Sequence, residues 1–128
     1  MWQQRSFLNQ KEKNIQKSVV DYLRYNRFYT IDCDPMFALS YIAGDNNKRI
    51  VFCKEKKTKG WTKGQPDLIA ISPKGDILFI EMKQSKGRLS EEQKYFQEFC
   101  EKVNIKHYVW YSLDDCIKSI GELNERLD

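Results

Sequence analysis

A chain of 128 residues, 41% hydrophobic and 31% charged, has room for one domain with one core, not two, and is not a disordered composition. No apolar run approaches the roughly 20 residues that span a bilayer, and the polar start Met1-Trp2-Gln3-Gln4-Arg5 precedes no apolar stretch of a secretory signal, so a cytoplasmic protein without membrane contact is the expectation. The net charge is +4, but Lys48, Arg49, Lys54, Lys56, Lys57, Lys59 and Lys63 against Glu55 give residues 46–64 a charge of +6 and leave −2 for the rest.

Asn9 to Tyr25 reads as a helix, with Ile15, Val19, Tyr22 and Leu23 on one stripe and Asn26 as its C′ residue. Tyr29 to Cys33 and Phe37 to Ile42 read as strands around a turn at Asp34-Pro35, and Gly44-Asp45-Asn46-Asn47 as another turn. Arg49 to Cys53 is a short strand candidate before the lysine-rich loop. Leu68-Ile69-Ala70-Ile71 and Ile77-Leu78-Phe79-Ile80 are continuous apolar runs separated by Ser72-Pro73-Lys74-Gly75-Asp76, which predicts a hairpin buried on both faces. Ser90-Glu91-Glu92-Gln93 is a capping box opening a helix to Val103, with Phe96, Phe99, Cys100 and Val103 as its inner stripe. A short strand, His107 to Trp110, leads to a helix started by Ser112-Leu113-Asp114-Asp115, with Ile117, Ile120, Leu123 and Leu127 inside. The order α-β-β-β-β-α-β-α predicts a single-domain α/β protein, a mixed central sheet flanked by helices.

Cys33, Cys53, Cys100 and Cys116 are widely spread, form no C-x-x-C pair and have only His107 as a potential companion. That pattern predicts buried thiols rather than a zinc site. The concentrated lysines suit a phosphate backbone, although a solvated loop would carry the same residues. Phe52 and Trp61 are aromatics within that region that could stack on unpaired bases, or simply pack.

The chemistry is concentrated on the central hairpin. Asp67 stands at the entry of its first strand, after Gly64-Gln65-Pro66, while Glu81 and Lys83 close the second strand two residues apart, hence on one face. Met82 between them points the other way. If the hairpin pairs symmetrically about Lys74-Gly75, Asp67 and Glu81 come within reach of one ion. Two carboxylates, a backbone carbonyl and waters suit Mg²⁺, and a lysine beside them can hold an attacking water or offset charge. An ordinary carboxylate–lysine ion pair at a strand end would use the same residue types.

Pro66-Asp67 followed by Glu81-Met82-Lys83 resembles the signature of the PD-(D/E)XK nuclease superfamily. With Gly64, with Lys86-Gly87-Arg88-Leu89-Ser90, and with Gln93 before Tyr95-Phe96, the stretch resembles more narrowly the virus-type replication-repair nuclease (VRR-NUC) domain, in its stand-alone, viral or phage-like form. The resemblance runs from about residue 64 to 117; residues 34–63 look like a basic insertion within a single domain spanning 1–128. It implies a restriction-endonuclease-like fold in which Asp67 and Glu81 are metal ligands, Met82 lends its backbone carbonyl, Lys83 is the catalytic lysine and Gln93 completes the catalytic set. Glu12 on the first helix is the best match for a further acidic ligand, although a first-turn glutamate also suits the helix dipole. Gln93 likewise has two readings, a site residue or only the N3 member of the capping box. The implied cofactor is Mg²⁺ or Mn²⁺. The implied partner is DNA, branched, flap or junction in form, cut by a homodimer in replication, repair or recombination. Lys54, Lys56, Lys57, Lys59, Lys63, Lys86 and Arg88 are the expected phosphate contacts. The alternative is a non-catalytic nucleic-acid-binding module of the same fold.

Overall fold

The computed structural model describes residues 2–33, 64–84 and 87–125, with side chains from Asn14 onward. The elements, in order, are α1 (Trp2–Tyr25), β1 (Tyr29–Asp32), β2 (Leu68–Ile71), β3 (Ile77–Met82), α2 (Glu91–Lys102), β4 (Lys106–Trp110) and α3 (Leu113–Glu125). The strands form one sheet in the order β1-β2-β3-β4, antiparallel for the first two pairs and parallel for the last. The expected mixed sheet with flanking helices is therefore present. The expected strands at 37–42 and 49–53 lie outside the described residues.

Alternation along the strands divides the sheet into two faces. Leu68, Ala70, Leu78, Ile80, Met82 and Trp110 face α1 and α3, where Val19, Leu23, Cys116, Ile120 and Leu123 complete the core. Phe79 and His107 face the other way and meet α2 through Phe96, whose ring packs edge-on against both, with centroids 5.4 and 5.7 Å away. Among the described residues, no helix is long and apolar enough to cross a membrane.

Helix α1 begins earlier than its apolar stripe suggested, at Trp2 rather than near Asn9. No glycine or proline interrupts Trp2–Asn9, and an asparagine costs a helix interior too little to stop it. Its C-terminus also differs in detail. The left-handed residue is Arg27 (φ 67°) rather than Asn26; Phe28 N–H donates to the Leu23 carbonyl and Arg27 N–H to that of Arg24, the two bonds of a Schellman cap. Asn26 contributes through its side-chain amide, which donates to the Tyr22 carbonyl at 2.8 Å.

The hairpin register pairs Leu68 with Ile80 and Ile71 with Ile77, which centres the turn on Lys74. Ser72 organises that turn: its hydroxyl accepts from the N–H groups of Lys74 and Asp76, and Gly75 takes a φ of 93°.

The two C-terminal helices show where apolar spacing misjudged the inner face. On α2, Cys100 is buried but Phe99 and Val103 are 52% and 47% exposed. On α3, Ile120 and Leu123 are buried while Ile117 is 40% exposed, and Leu127 lies outside the described residues. The cause on α2 is polar: Gln93 turns toward the sheet, and a residue six positions on lies about 120° around the helix, which turns Phe99 outward.

Candidate active site

β2 and β3 bring Asp67 and Glu81 to the same end of the sheet. Leu68 is opposite Ile80, so the next residues outward, Asp67 and Glu81, leave the paired region side by side. The ladder changes character here. In regular antiparallel pairing, Cys33 and Asp67 would exchange both backbone bonds. Cys33 N–H does donate to the Asp67 carbonyl at 2.9 Å, but Asp67 N–H turns to the Ile80 carbonyl at 3.1 Å. The Cys33 carbonyl left by that turn accepts instead from the Gln65 side-chain amide at 2.8 Å. On the other side, Met82 N–H donates to Asp67 Oδ2 at 2.9 Å, so a carboxylate stands where a strand carbonyl would.

Asp67 is thus fixed by both neighbouring strands, its main chain by β1 and β3 and its side chain by β3. Glu81, only 2% exposed, is held from above. Gln93 Nε2 donates to Glu81 Oε1 at 2.6 Å. The same amide uses its oxygen elsewhere: Ser90 N–H donates to Gln93 Oε1 at 2.8 Å, and Gln93 N–H donates to Ser90 Oγ at 3.2 Å. The two readings of Gln93 are therefore compatible. One side chain closes the capping box with its oxygen and reaches the buried carboxylate with its nitrogen.

Gly64 explains how α2 comes so close. It adopts φ +90°, where L side chains are strained, and a Cβ there would lie 2.6 Å from the backbone carbon and oxygen of Glu92. The loop before Asp67 therefore docks by its bare backbone on the first turn of α2, one residue from Gln93. Pro66, buried between them, cannot donate a backbone hydrogen bond and directs the chain into β2.

Lys83 follows Met82 directly and is half-buried; its N–H donates to the Trp110 carbonyl at 3.0 Å, extending the β3–β4 pairing by one rung. Met82 itself lies in the core, 5% exposed. Arg88 is exposed on the segment leading to Ser90. Cys33 sits beside Asp67, and its thiol is pushed above its ordinary range by burial first and then by Asp32 and Asp67. Cys100 and Cys116 are buried, with Cys116 pushed up by burial to about 12; both are inert packing thiols. Lys54, Lys56, Lys57, Lys59, Lys63 and Lys86, with Phe52, Cys53 and Trp61, lie outside the described residues. Glu12 falls on α1, but its side chain is not among those described.

Of the residues singled out in the sequence, the structure gathers Asp67, Glu81, Lys83 and Gln93 around one strand end. Gln65 was not anticipated, because a lone glutamine in a loop carries no pattern that reveals its partner. Gly64 was visible as a motif residue, but its contact with Glu92 was not.

The VRR-NUC domain family model matches residues 32–114, nearly two-thirds of the chain. The chain belongs to the VRR-NUC domain family. This is a nuclease-type family, and the matched span contains every residue of the cluster just described as well as the lysine-rich segment. A solved structure titled "VRR_NUC domain" is similar in fold, with a TM-score of 0.63 at 20% identity, covering 87% of this chain and 95% of that one. No curated protein matches the chain significantly. The described residues contain no group of three or more His, Cys, Asp or Glu side chains able to hold a metal ion. Among the described residues, β2 and β3 bring two carboxylates to this sheet end, hard oxygen donors of the kind that divalent cations take.

Proposed function

We propose that this VRR-NUC domain is a Mg²⁺- or Mn²⁺-dependent deoxyribonuclease that hydrolyses phosphodiester bonds in branched, flap or junction DNA. The observation that carries the reading is the fixed, charged cluster at the end of β3: a 2% exposed Glu81 bonded to Gln93 at 2.6 Å, beside an Asp67 held on the Met82 N–H. Burying a carboxylate is costly, and a divalent cation is the counter-charge that a nuclease would place there.

Asp67 and Glu81 would hold the ion, with the Met82 carbonyl and Glu12 as the further donors expected. When bound, the ion supplies Lewis acidity, lowering the pKa of a water and neutralising charge on the phosphodiester. The chain's own residues do the rest. The Gln93 amide donates to Glu81 Oε1 and so fixes the direction in which Glu81 presents its charge. Met82 N–H does the same for Asp67. Lys83, the next residue outward, orients the attacking water or offsets charge on the pentavalent phosphorus. Arg88, Lys86 and the lysines of residues 54–63 would bind flanking phosphates. The preference for branched substrates and action as a homodimer follow from the family resemblance.

The test is cleavage of duplex, single-stranded, flap and four-way-junction DNA with Mg²⁺, Mn²⁺ or EDTA. Metal-dependent cleavage lost in Glu81→Ala and reduced in Lys83→Ala is the expected result. Full activity of Glu81→Ala in Mg²⁺ refutes the site, and tight DNA binding without cleavage under every condition returns the chain to a binding module.

A further inference from the structure

The two faces of the sheet are not covered equally. α1 and α3 both lie on the face of Leu68, Ala70 and Leu78, whereas among the described residues only α2 lies on the other. There Phe96 packs edge-on against Phe79 of β3 and His107 of β4, so α2 covers the β3–β4 half. Alternation sets Ile69 and Ile71 of β2 on this same face, and the register adds Tyr29 and Ile31 of β1 and Ile77 of β3. Tyr29 is 69% exposed, Ile77 49% and Ile31 39%, and Ile69 and Ile71 are half-buried. An apolar half-sheet is left facing water.

Helix α2 carries a second such surface beside it. Tyr95, Phe99 and Val103, at i, i+4 and i+8, form one stripe that ends at the helix C-cap. Tyr95 is 74% exposed, and the other two are about half exposed. Glu92 precedes Phe99 by seven residues, hence on the same flank, and it lies against Gly64, on the β2 side. Glu101 is on the opposite flank, where its charge acts on His107 of β4. The stripe therefore borders the open half-sheet and points away from the contact of α2 with β3 and β4.

We infer that the stripe and the half-sheet are the two halves of an interface between copies of this chain, the α2 stripe of each copy lying on the open half-sheet of the other. A helix is about 10 Å across and neighbouring strands are about 4.8 Å apart, so two strands seat one helix. Within one chain the two surfaces stand side by side and both stay exposed, whereas a two-fold axis brings each onto its complement. None of these side chains is charged, so a phosphate backbone finds no cation among them. Aromatic side chains cover about 150–250 Å² each, and at these exposures the patch leaves on the order of 500 Å² of apolar surface in water, the upper end for a monomer. With a polar rim that approaches the ~800 Å² per partner of a standard interface. The inference gives a surface to the homodimer of the proposed function and rests on that dimerisation, not on cleavage.

The experiment is sedimentation equilibrium of the full chain over a micromolar concentration series, as wild type, Phe99→Glu, Ile77→Lys and Ile117→Glu. The first two variants place a charge in the contact and should weaken dimerisation by roughly thirtyfold or more, the mark of an interface hot spot. Ile117→Glu, on α3 and the opposite face, should leave it unchanged. Far-UV circular dichroism of each diluted variant should match wild type, because all three positions are exposed. Hydroxyl-radical footprinting of the wild type needs no substitution and decides the matter if a variant misfolds. Labelling of Tyr29 and Phe99 should fall as concentration rises, while that of Tyr111, beyond β4, should not. A wild type that stays monomeric throughout overturns the inference together with the homodimer, and leaves metal-dependent cleavage to its own assay. A dimer that survives Phe99→Glu and Ile77→Lys, that Ile117→Glu breaks, or that leaves Tyr29 and Phe99 equally labelled at every concentration overturns the surface alone.

Discussion

Replacing Gln93 with glutamate separates its two bonds. The capping box accepts either residue at N3, so the oxygen that receives Ser90 N–H survives. The nitrogen that donates to Glu81 Oε1 at 2.6 Å becomes a second carboxylate oxygen facing a 2% exposed carboxylate. Two unit charges about 4 Å apart repel by about 4 kcal/mol at an effective dielectric near 20. Gln93 is only half-buried, so about 2–4 kcal/mol is the reasonable range once solvent screening is included. The pair can escape by binding a proton, which restores a donor between the oxygens. That costs about 1.4 kcal/mol for each pH unit above a glutamate's ordinary ~4.3, hence about 5 kcal/mol at pH 8 but about 1 kcal/mol at pH 5. The folded-state pKa of the pair is raised, so the penalty is absent below the unfolded value and grows as pH rises toward the folded one. Gln93→Glu should therefore melt close to wild type at pH 5 and roughly 10 °C below it at pH 8. Mg²⁺ should narrow the gap at pH 8, because a divalent ion between the carboxylates removes their repulsion. Differential scanning calorimetry of both proteins at both pH values decides it. An equal gap at pH 5 and pH 8 would show that the Gln93–Glu81 contact carries no electrostatic weight.

Asp67→Asn retains an acceptor for Met82 N–H, whereas Asp67→Ala leaves that buried donor unsatisfied at about 1–3 kcal/mol; both should abolish cleavage, only alanine should clearly lower the melting temperature, and equal melting would remove the structural role given to Asp67. His107 lies against Phe96 with its Nδ1 buried, and burial lowers its pKa below the ordinary 6.5, with Glu101 opposing in part. Its contribution to stability is accordingly complete above 6.5 and declines as pH falls through that value toward the folded pKa. Urea midpoints from pH 8 to pH 5 should fall in wild type and less so in His107→Phe, and parallel curves would exclude this histidine as the cause. Neutralising two of Lys54, Lys56, Lys57, Lys59 and Lys63 should flatten the slope of log affinity against log salt by roughly two units; an unchanged slope would make them a solvated loop.

The sequence made the hairpin and its chemistry legible because both depend on short-range rules. Two apolar runs flanking Pro73-Lys74-Gly75 dictate the register that sets Asp67 beside Glu81, and Ser90 with Gln93 announces the start of α2. What stayed hidden depends on contacts between distant residues. The exposure of Phe99 and Val103 could not be read from helical spacing, since an aromatic on the outer face has the same period as one within. For Phe99 it follows from Gln93 turning to Glu81, twelve residues away in sequence and on another element. The Gln65 bond to Cys33, the Gly64 contact with Glu92 and the Tyr111 bond to Gly87 are of the same kind. Asn9 misled for the opposite reason: a residue favoured at helix starts is also tolerated in their interiors, and only a breaker would have marked the boundary.

These long-range contacts share a physical purpose. A carboxylate as buried as Glu81 is unfavourable alone, and the features around it reduce that cost by holding the Gln93 dipole in place. The Gln93 amide is aimed because its oxygen is already committed to Ser90, which leaves its N–H groups facing the sheet. Ser90 is in place because the backbone of Gly64 lies against the first turn of α2, closer than any side chain would allow. Gly64 in turn leads through Gln65 and Pro66 to Asp67, whose carboxylate completes the β3 ladder at Met82. The route from Glu81 through Gln93, α2 and Gly64 to Asp67 and back to β3 is closed. Neither carboxylate can therefore move without disturbing the other, which is the condition that the proposed cation would need in order to find both at once.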